Sequence, residues 1–400
     1  PNSQRSLRTK DTTGYAKRRR RRTATQTHNV YNPTSRYQLI PTLPGRKNFN
    51  ETGTLGVEEE YFVVDAETYE PVPSSDVLID DAELPDELSG HIGTELFKFV
   101  FETTTEKTET LEGARDEMER KRNALVEHAR DHGYEVLSAG LHPSARWNEH
   151  EHAEGPRYRQ QLDRIRYPQY RNITAGLHVH IGVDGADKAV YVADEVRRYL
   201  PLILALSANS PFWYGCDTGL ASTRAVVFEN LPNTGIPSRF GDWETFRSFE
   251  ERMVESDSVA DRGEIWWDVR PHTEYGTVEI RSPDSQASLG RAFAFVALCR
   301  ALVHELGSRY GETEPTNPRR ELLNENKWRA LRYGQDASFL LHDGGTVTLE
   351  RLFEDVLESI ETSYEDEIRA LADVSGAERQ REAYQNGGME AVLGSMVLGD

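Results

Sequence analysis

Three short segments carry side chains whose types and spacing can do chemistry. The first is Gly56-Val57-Glu58-Glu59-Glu60. Read as a strand, its alternation puts Glu58 and Glu60 on one face about 6.5 Å apart and turns Glu59 to the other. Two carboxylates so placed repel unless a cation or water separates them, and an oxygen-rich pair suits Mg²⁺ or Mn²⁺. In an acid-rich chain they can equally be a plain polar strand face. The second segment is His178-Val179-His180-Ile181-Gly182, with both imidazoles on one face and Val179 and Ile181 turned toward a core. Two same-face histidines on a buried strand point to a metal or an anion, whereas a lone core histidine would be unremarkable. Gly176 and Gly182 bracket the pair and let a ligand approach the backbone. The third is Glu279-Ile280-Arg281-Ser282-Pro283-Asp284. Glu279 and Arg281 share a face, which pairs a metal ligand with a bidentate phosphate or carboxylate ligand. The bland alternative is a salt bridge between neighbours, worth little if exposed.

Together the three segments describe a cation-rich phosphate-transfer site on an antiparallel sheet. Other nucleotide sites are excluded or unsupported. The chain has no GxxxxGK[ST] and no Gly-Lys dipeptide, which removes a P-loop, and no GxGxxG precedes a helix. Zinc amidohydrolases also use His-x-His, but on a (β/α)₈ barrel whose regular alternation is missing.

The elements that must position these groups read as mixed α and β. Strands are expected at 54–64, 96–103, 134–139 and 176–183, with a hairpin of 266–270 and 277–281 around Glu274-Tyr275-Gly276. Helices are expected at 111–132 (closed by Gly133), 157–166, 186–208 (kinked at Pro201), 286–308, 319–333 and 349–374. Strands recur without regular βαβ spacing, so the expectation is an α+β fold with an antiparallel sheet.

Charge divides the chain. Of its 47 Lys+Arg and 67 Asp+Glu, residues 1–50 hold 12 basic residues and one acid, leaving 35 basic and 66 acidic on 51–400. Only five lysines lie in that body. A dispersed acidic, lysine-poor surface is what a protein working in concentrated salt carries, because salt screens its self-repulsion. It also argues against nucleic acid as the main partner. The basic run at 17–22, among prolines and few aliphatics, reads as part of a disordered extension over 1–50, with a single catalytic domain over 51–400. No stretch is long and apolar enough for a membrane helix, and no secretory signal is visible. Two cysteines, Cys216 and Cys299, build no disulfide framework or thiolate zinc site and are expected to be small buried residues without a catalytic role. The compartment expected is the cytoplasm.

These motifs, in this order, resemble the carboxylate–amine ligases of glutamate–cysteine ligase family 2. The resemblance runs from Gly56-Val57-Glu58-Glu59-Glu60-Tyr61-Phe62 through Phe101-Glu102-Thr103-Thr104, Gly140-Leu141-His142-Pro143 and the His178/His180 segment. It continues through Ser222-Thr223-Arg224 and Trp267-Asp268-Val269-Arg270-Pro271 to Thr277-Val278-Glu279-Ile280-Arg281. The acidic, arginine-rich body is similar to the haloarchaeal members. The resemblance implies a glutamine-synthetase-like fold, a curved antiparallel sheet holding ATP and divalent ions (Mg²⁺ or Mn²⁺) against helices. It implies metal ligands at Glu58, Glu60, Glu102, His178 and Glu279, and a phosphate or ATP contact at His180. It places Arg270 and Arg281 at phosphate or the acyl-phosphate and Arg224 at a substrate carboxylate.

The activity implied joins glutamate to cysteine. ATP phosphorylates the γ-carboxylate, the cysteine amine attacks the γ-glutamyl phosphate, and phosphate leaves. Three other readings are open: the same chemistry with another amine acceptor, a metal-dependent hydrolase on the same face, and a non-catalytic binding protein, which the intact set of site residues disfavours. Partners are small molecules, with neither nucleic acid nor membrane; a homo-oligomer is compatible with the sequence.

Overall fold

The computed structural model describes residues 45–313 and 315–399. The basic run at 17–22 and most of the expected extension lie outside the described residues. In chain order the first half comprises β1 (Leu55–Asp65), α1 (Ser75–Ile79), β2 (Ile92–Thr94), β3 (Val100–Thr104), α2 (Leu111–Asp131), β4 (Tyr134–Leu137), α3 (Pro156–Ile165), α4 (Tyr167–Tyr170) and β5 (Leu177–Gly182). Then come α5 (Ala186–Val196), α6 (Leu200–Ser207), the small hairpin β6 (Phe212–Trp213) and β7 (Cys216–Asp217), α7 (Thr223–Phe228), α8 (Trp243–Glu255), β8 (Val269–His272), β9 (Thr277–Ile280), α9 (Leu289–Ser308) and α10 (Arg320–Tyr333). A hairpin of Ser338–Leu340 and Thr346–Thr348 and the helices Leu349–Ser359, Glu365–Arg369 and Gly376–Gly394 complete it.

The main sheet orders its strands β2-β3-β1-β5-β9-β8, all antiparallel, with β4 paired to the far half of β1. Period-two alternation sorts the two faces. Val57, Leu177, Val179, Ile181, Val278 and Ile280 are buried in one large core with residues of α5 and α9. α2 packs on β1 from the same side, since its Arg122 reaches Glu59. The Thr110 side chain caps the N-terminus of α2, and Gly133, at φ +79°, ends it where a side chain would be strained. The opposite face is charged over the first half of β1. Over its second half Phe62 and Val64 join a second core with Leu96, Phe97, Phe99 and Val392.

Several expected boundaries move, each for a physical reason. The helix expected over 186–208 is two, because Pro201 lacks an N–H and sits in the first turn of α6, where none is needed. The helix expected over 349–374 stops at Ser359 and resumes at Glu365. The strand expected over 96–103 begins at Val100; Leu96, Phe97 and Phe99 are buried from a turn instead. Cys299 is buried as expected, while Cys216 is exposed on the β6–β7 hairpin.

The packed body also begins before Glu51. Phe49 is 4% exposed and meets Trp243 edge-on, and Asn48 Nδ2 donates to the carbonyls of Thr273 and Glu274. Gly276 is at φ +70°, and a Cβ there would lie 1.9 Å from the Asn48 carbonyl oxygen, so only glycine fits beneath the end of this 3₁₀ turn, Arg46–Asn48.

Candidate active site

Register turns local alternation into a cluster. Glu58 pairs with His178, His180 with Glu279, Glu279 with Arg270, and Glu60 with Glu102. Directly paired residues of antiparallel strands share a face, so side chains from five strands converge on the side away from α5 and α9. Glycines stand in two of the rows: Gly56 opposite His180, and Gly176 where its N–H donates to Glu60 Oε2 at 2.6 Å.

Glu58 lies between the two imidazoles. His178 Nδ1 is 2.9 Å from Glu58 Oε2 and His180 Nε2 is 3.2 Å from Glu58 Oε1. Burial alone would push this carboxyl up, but the charge of His180 and hydrogen bonds from both rings outweigh it and hold it well below the usual range. The imidazoles diverge. Burial and the Arg281 charge lower His178, which stays neutral; Nδ1–H donates to Glu58 and leaves Nε2 as a free lone pair facing Glu60 Oε1, 3.8 Å away. His180 is buried as well, yet Glu279 and Glu58 raise it above its ordinary value, so it tends to the imidazolium.

Glu279 is fully buried, but Arg270, Arg281 and His180 overcome that burial and keep it ionised. Its Oε2 takes Arg270 Nε at 2.5 Å and its Oε1 takes Arg281 Nη1. The two arginines differ in what they have left. Arg270 Nη1 donates to the carbonyls of Arg262, Gly263 and Ile265, leaving only Nη2 without a hydrogen bond among the described residues. Arg281 keeps both Nε and Nη2 unbonded among the described residues, and its Nε is buried. Arg224 is brought to the edge of the cluster rather than onto its open face. Its Nη1 and Nη2 donate to the carbonyls of Ser282 and Arg281 at 3.3 Å, and a Cβ at Gly176 would lie 2.2 Å from Nη2.

One group here has no sequence motif. Glu95, in the turn between β2 and β3, joins Glu60 and Glu102. Burial and the neighbouring Glu60 charge push its carboxyl up to about 8. Glu102 is likewise raised well above the usual range by burial and by Glu58, Glu95 and Glu60. Among the described residues neither is in an ion pair. Three overlapping groups bring their ligand atoms within 4.8 Å of one another: Glu58–His180–Glu279, Glu58–Glu102–His178 and Glu60–Glu95–Glu102. Largely enclosed carboxylates clustered without enough cations, only Glu279 of them fully buried, with a neutral imidazole beside them, form a donor set that divalent oxygen-preferring ions fit.

The sequence pattern of Glutamate-cysteine ligase family 2 matches residues 54–390, most of the chain. The chain belongs to that family. A glutamate–cysteine ligase of Natronomonas pharaonis is 52% identical over 359 residues, covering 89% of this chain and 98% of its own. One of Haloferax volcanii is 52% identical over 353 residues, covering 88% and 98%. Among solved structures, a glutamate–cysteine ligase of Francisella tularensis in complex with AMP is similar with a TM-score of 0.63 at 13% identity, covering 87% of this chain and 88% of that one. That likeness is one of fold, and it agrees with the α+β, glutamine-synthetase-like arrangement expected. In this family member, Glu58, Glu60, Glu102, His178, His180, Arg270, Glu279 and Arg281 lie together across one sheet face, with Arg224 at its margin. Glu95 belongs to no motif and stands just before the strand expected over 96–103, so sequence reading leaves it out. An acid at the threshold of an apolar run, Leu96-Phe97, is the available signal.

Proposed function

We propose that this family member is an ATP-dependent, ADP-forming ligase joining the γ-carboxylate of L-glutamate to the amine of L-cysteine through γ-glutamyl phosphate. The observation that carries this reading is the convergence of five carboxylates, two imidazoles and two arginines on one face of the sheet. A γ-carboxylate is a poor electrophile until phosphorylated, and phosphoryl transfer is catalysed by positioning and charge neutralisation. Glu58, Glu60, Glu102, His178 and Glu279 would hold divalent ions, Mg²⁺ or Mn²⁺, with Glu95 as a further ligand. When bound, such ions neutralise phosphate charge and align the transferring group.

The remaining work falls to the protein's own side chains. Arg281, with Nε and Nη2 uncommitted, is placed to grip two oxygens of the transferring phosphoryl or the acyl phosphate. His180, tending to the imidazolium, adds positive charge beside the phosphate; its Nδ1 and Nε2 are turned to Thr277 Oγ1 and Glu58 Oε1, so a direct contact would exchange one of these partners. Arg270 holds Glu279 in place through Nε and, with Nη1 spent on carbonyls, contributes charge more than contact. Arg224 is the candidate for a substrate carboxylate at the margin, where it would have to exchange carbonyl partners. No protein nucleophile is needed, in keeping with the buried Cys299, whose thiol burial pushes up to about 12.

The partners in this reading are small molecules, and the compartment is the cytoplasm. Among the described residues no helix is long and apolar enough to cross a membrane. The test is ADP release in molar KCl with Mg²⁺ or Mn²⁺, with glutamate against a panel of amino acids. The expected result is ADP release that requires glutamate and is highest with cysteine. Release indifferent to glutamate, or hydrolysis of an amide or ester without ATP, would overturn it.

A further inference from the structure

A second cluster of ligand-bearing side chains lies on the other side of the sheet from the ligase face. Helix α2 packs on that side, and near its C-terminus His128 and His132 stand one turn apart, facing the same way. The turn after α1 brings Asp81 against them. Asp81 Oδ2 is 3.1 Å from His132 Nε2 and 3.9 Å from His128 Nε2. The carbonyl oxygen of Leu78, at the end of α1, is 3.0 Å from the same His128 nitrogen.

We propose that Asp81, His128 and His132 form a second metal site, for Zn²⁺ or a similar imidazole-preferring divalent ion, with the Leu78 carbonyl as the nearest fourth donor. Tetrahedral zinc, with bonds near 2.0–2.1 Å, sets its donor atoms about 3.3 Å apart. The observed 3.1 and 3.9 Å bracket that spacing, so small side-chain movements complete the shell. The donors are already oriented. His132 Nδ1 donates to the His128 carbonyl at 2.9 Å, which orients the ring and aims Nε2 at Asp81 Oδ2, the outer-shell arrangement of a metal-bound histidine once an ion takes the place of the Nε2 proton. Asp81 Oδ1 accepts the Glu83 N–H at 3.1 Å, which turns Oδ2 to the rings. Among the described residues no lysine or arginine pairs with Asp81, so the cluster's one carboxylate is not committed to a protein cation. His128 is 5% exposed, while Asp81 and His132 remain reachable from solvent. Binding moves the His128 proton from Nε2 to Nδ1 and frees the Leu78 carbonyl to face the ion.

The two clusters differ in hardness. The ligase face is mostly carboxylate and suits Mg²⁺ or Mn²⁺, whereas two imidazoles and one carboxylate suit Zn²⁺. An ion held here would staple the α1 turn, which leads on toward β2 and Glu95, to the end of α2. The inference stands independently of the ligase reading, since none of its residues lies on that face.

The test is equilibrium dialysis of the metal-stripped chain against Zn²⁺ with Mg²⁺ in large excess, together with thermal melts. The expected result is one bound zinc per chain and a melting temperature raised by about 2–5 °C. Asp81→Asn and His132→Gln should each abolish both effects while leaving Mg²⁺-supported ligase turnover unchanged. His178→Gln, which alters the ligase face, should keep the zinc. Absence of bound zinc in the wild-type chain, or equal zinc in Asp81→Asn and His132→Gln, overturns the proposal. So does loss of the zinc in His178→Gln, which would place the ion on the ligase face.

Discussion

The two faces of the central sheet use the same residue types to opposite ends. On the helix-backed face Glu59 is the one buried carboxylate of its strand and is met by one arginine. Arg122 donates from Nε and Nη2 to the Glu59 carboxylate, and from Nη1 and Nη2 to the carbonyls of Ala287 and Gln286. On the other face Glu58, Glu60, Glu95, Glu102 and Glu279 share two guanidiniums, and Arg281 has donors to spare. A buried carboxylate with a matched partner is a lock; removing either member leaves an uncompensated charge. Carboxylates in excess of their cations are instead an electrostatic debt that an arriving ion relieves, which is why the same chemistry reads as structure on one side and as a site on the other.

Substitutions on each face, truncation and salt can break or sharpen that contrast. The largest effect is expected on the charged face, where Glu279→Gln should cut turnover by about 10²-fold or more and weaken apparent metal affinity. Arg281→Lys keeps a charge but loses the two-pronged donor, so turnover should fall by about 10²-fold with metal affinity retained. Titrating Mg²⁺ against ADP release in both variants reads the difference, and normal metal dependence in Glu279→Gln would undo the site. On the helix-backed face, Glu59→Gln should cost about 3 kcal/mol or more of stability by stranding Arg122, while the turnover of the molecules that stay folded changes far less. Chemical denaturation and active-fraction assays separate these outcomes.

A smaller set of effects probes where each face ends. Phe49 belongs to the helix-backed core, so deleting residues 1–44 should leave stability and activity intact. Deleting 1–50 should cost about 3 kcal/mol, the loss expected for removing a buried phenylalanine. Equal melting temperatures for the two truncations would return the boundary to Glu51. The smallest effect concerns repulsion itself. Glu102→Gln should stabilise the metal-free chain by about 1 kcal/mol while impairing turnover, because burial and its acidic neighbours already disfavour its charge. Raising KCl to molar levels should raise the wild-type melting temperature, and by less in this variant. A melting temperature that is flat in KCl would remove the salt-adapted reading of the acidic body.

How much of this was legible beforehand depended on the range of the interaction responsible. The α2 helix was readable because capping, amphipathic spacing and a terminal glycine all act within a few residues. The Gly376–Gly394 helix carries an equally local capping box, Ser375 with Glu378, that was there to be read and was passed over. Glu95 was a different kind of miss. Its position in a turn and its contact with Glu60 and Glu102 follow from the pairing of β2 with β3, in which Gly93 faces Glu102. Arg224 likewise reads as a cation available to a ligand in Ser222-Thr223-Arg224, and only the fold shows its Nη1 and Nη2 turned to carbonyls far along the chain, with Asp284 3.8 Å from Nη1.

Sequence alone determined which side chains could share a face, because strand alternation is a property of two adjacent peptide units. Glu58 with Glu60, His178 with His180, and Glu279 with Arg281 needed nothing more. The antiparallel register that sets Glu58 against His178, and His180 against Glu279, is chosen by burial of Val57, Val179 and Ile280 against helices far along the chain. Which carboxylates are matched and which are left in excess is therefore a property of tertiary structure: it depends on which cations long-range packing delivers to each face and which donors the backbone claims first.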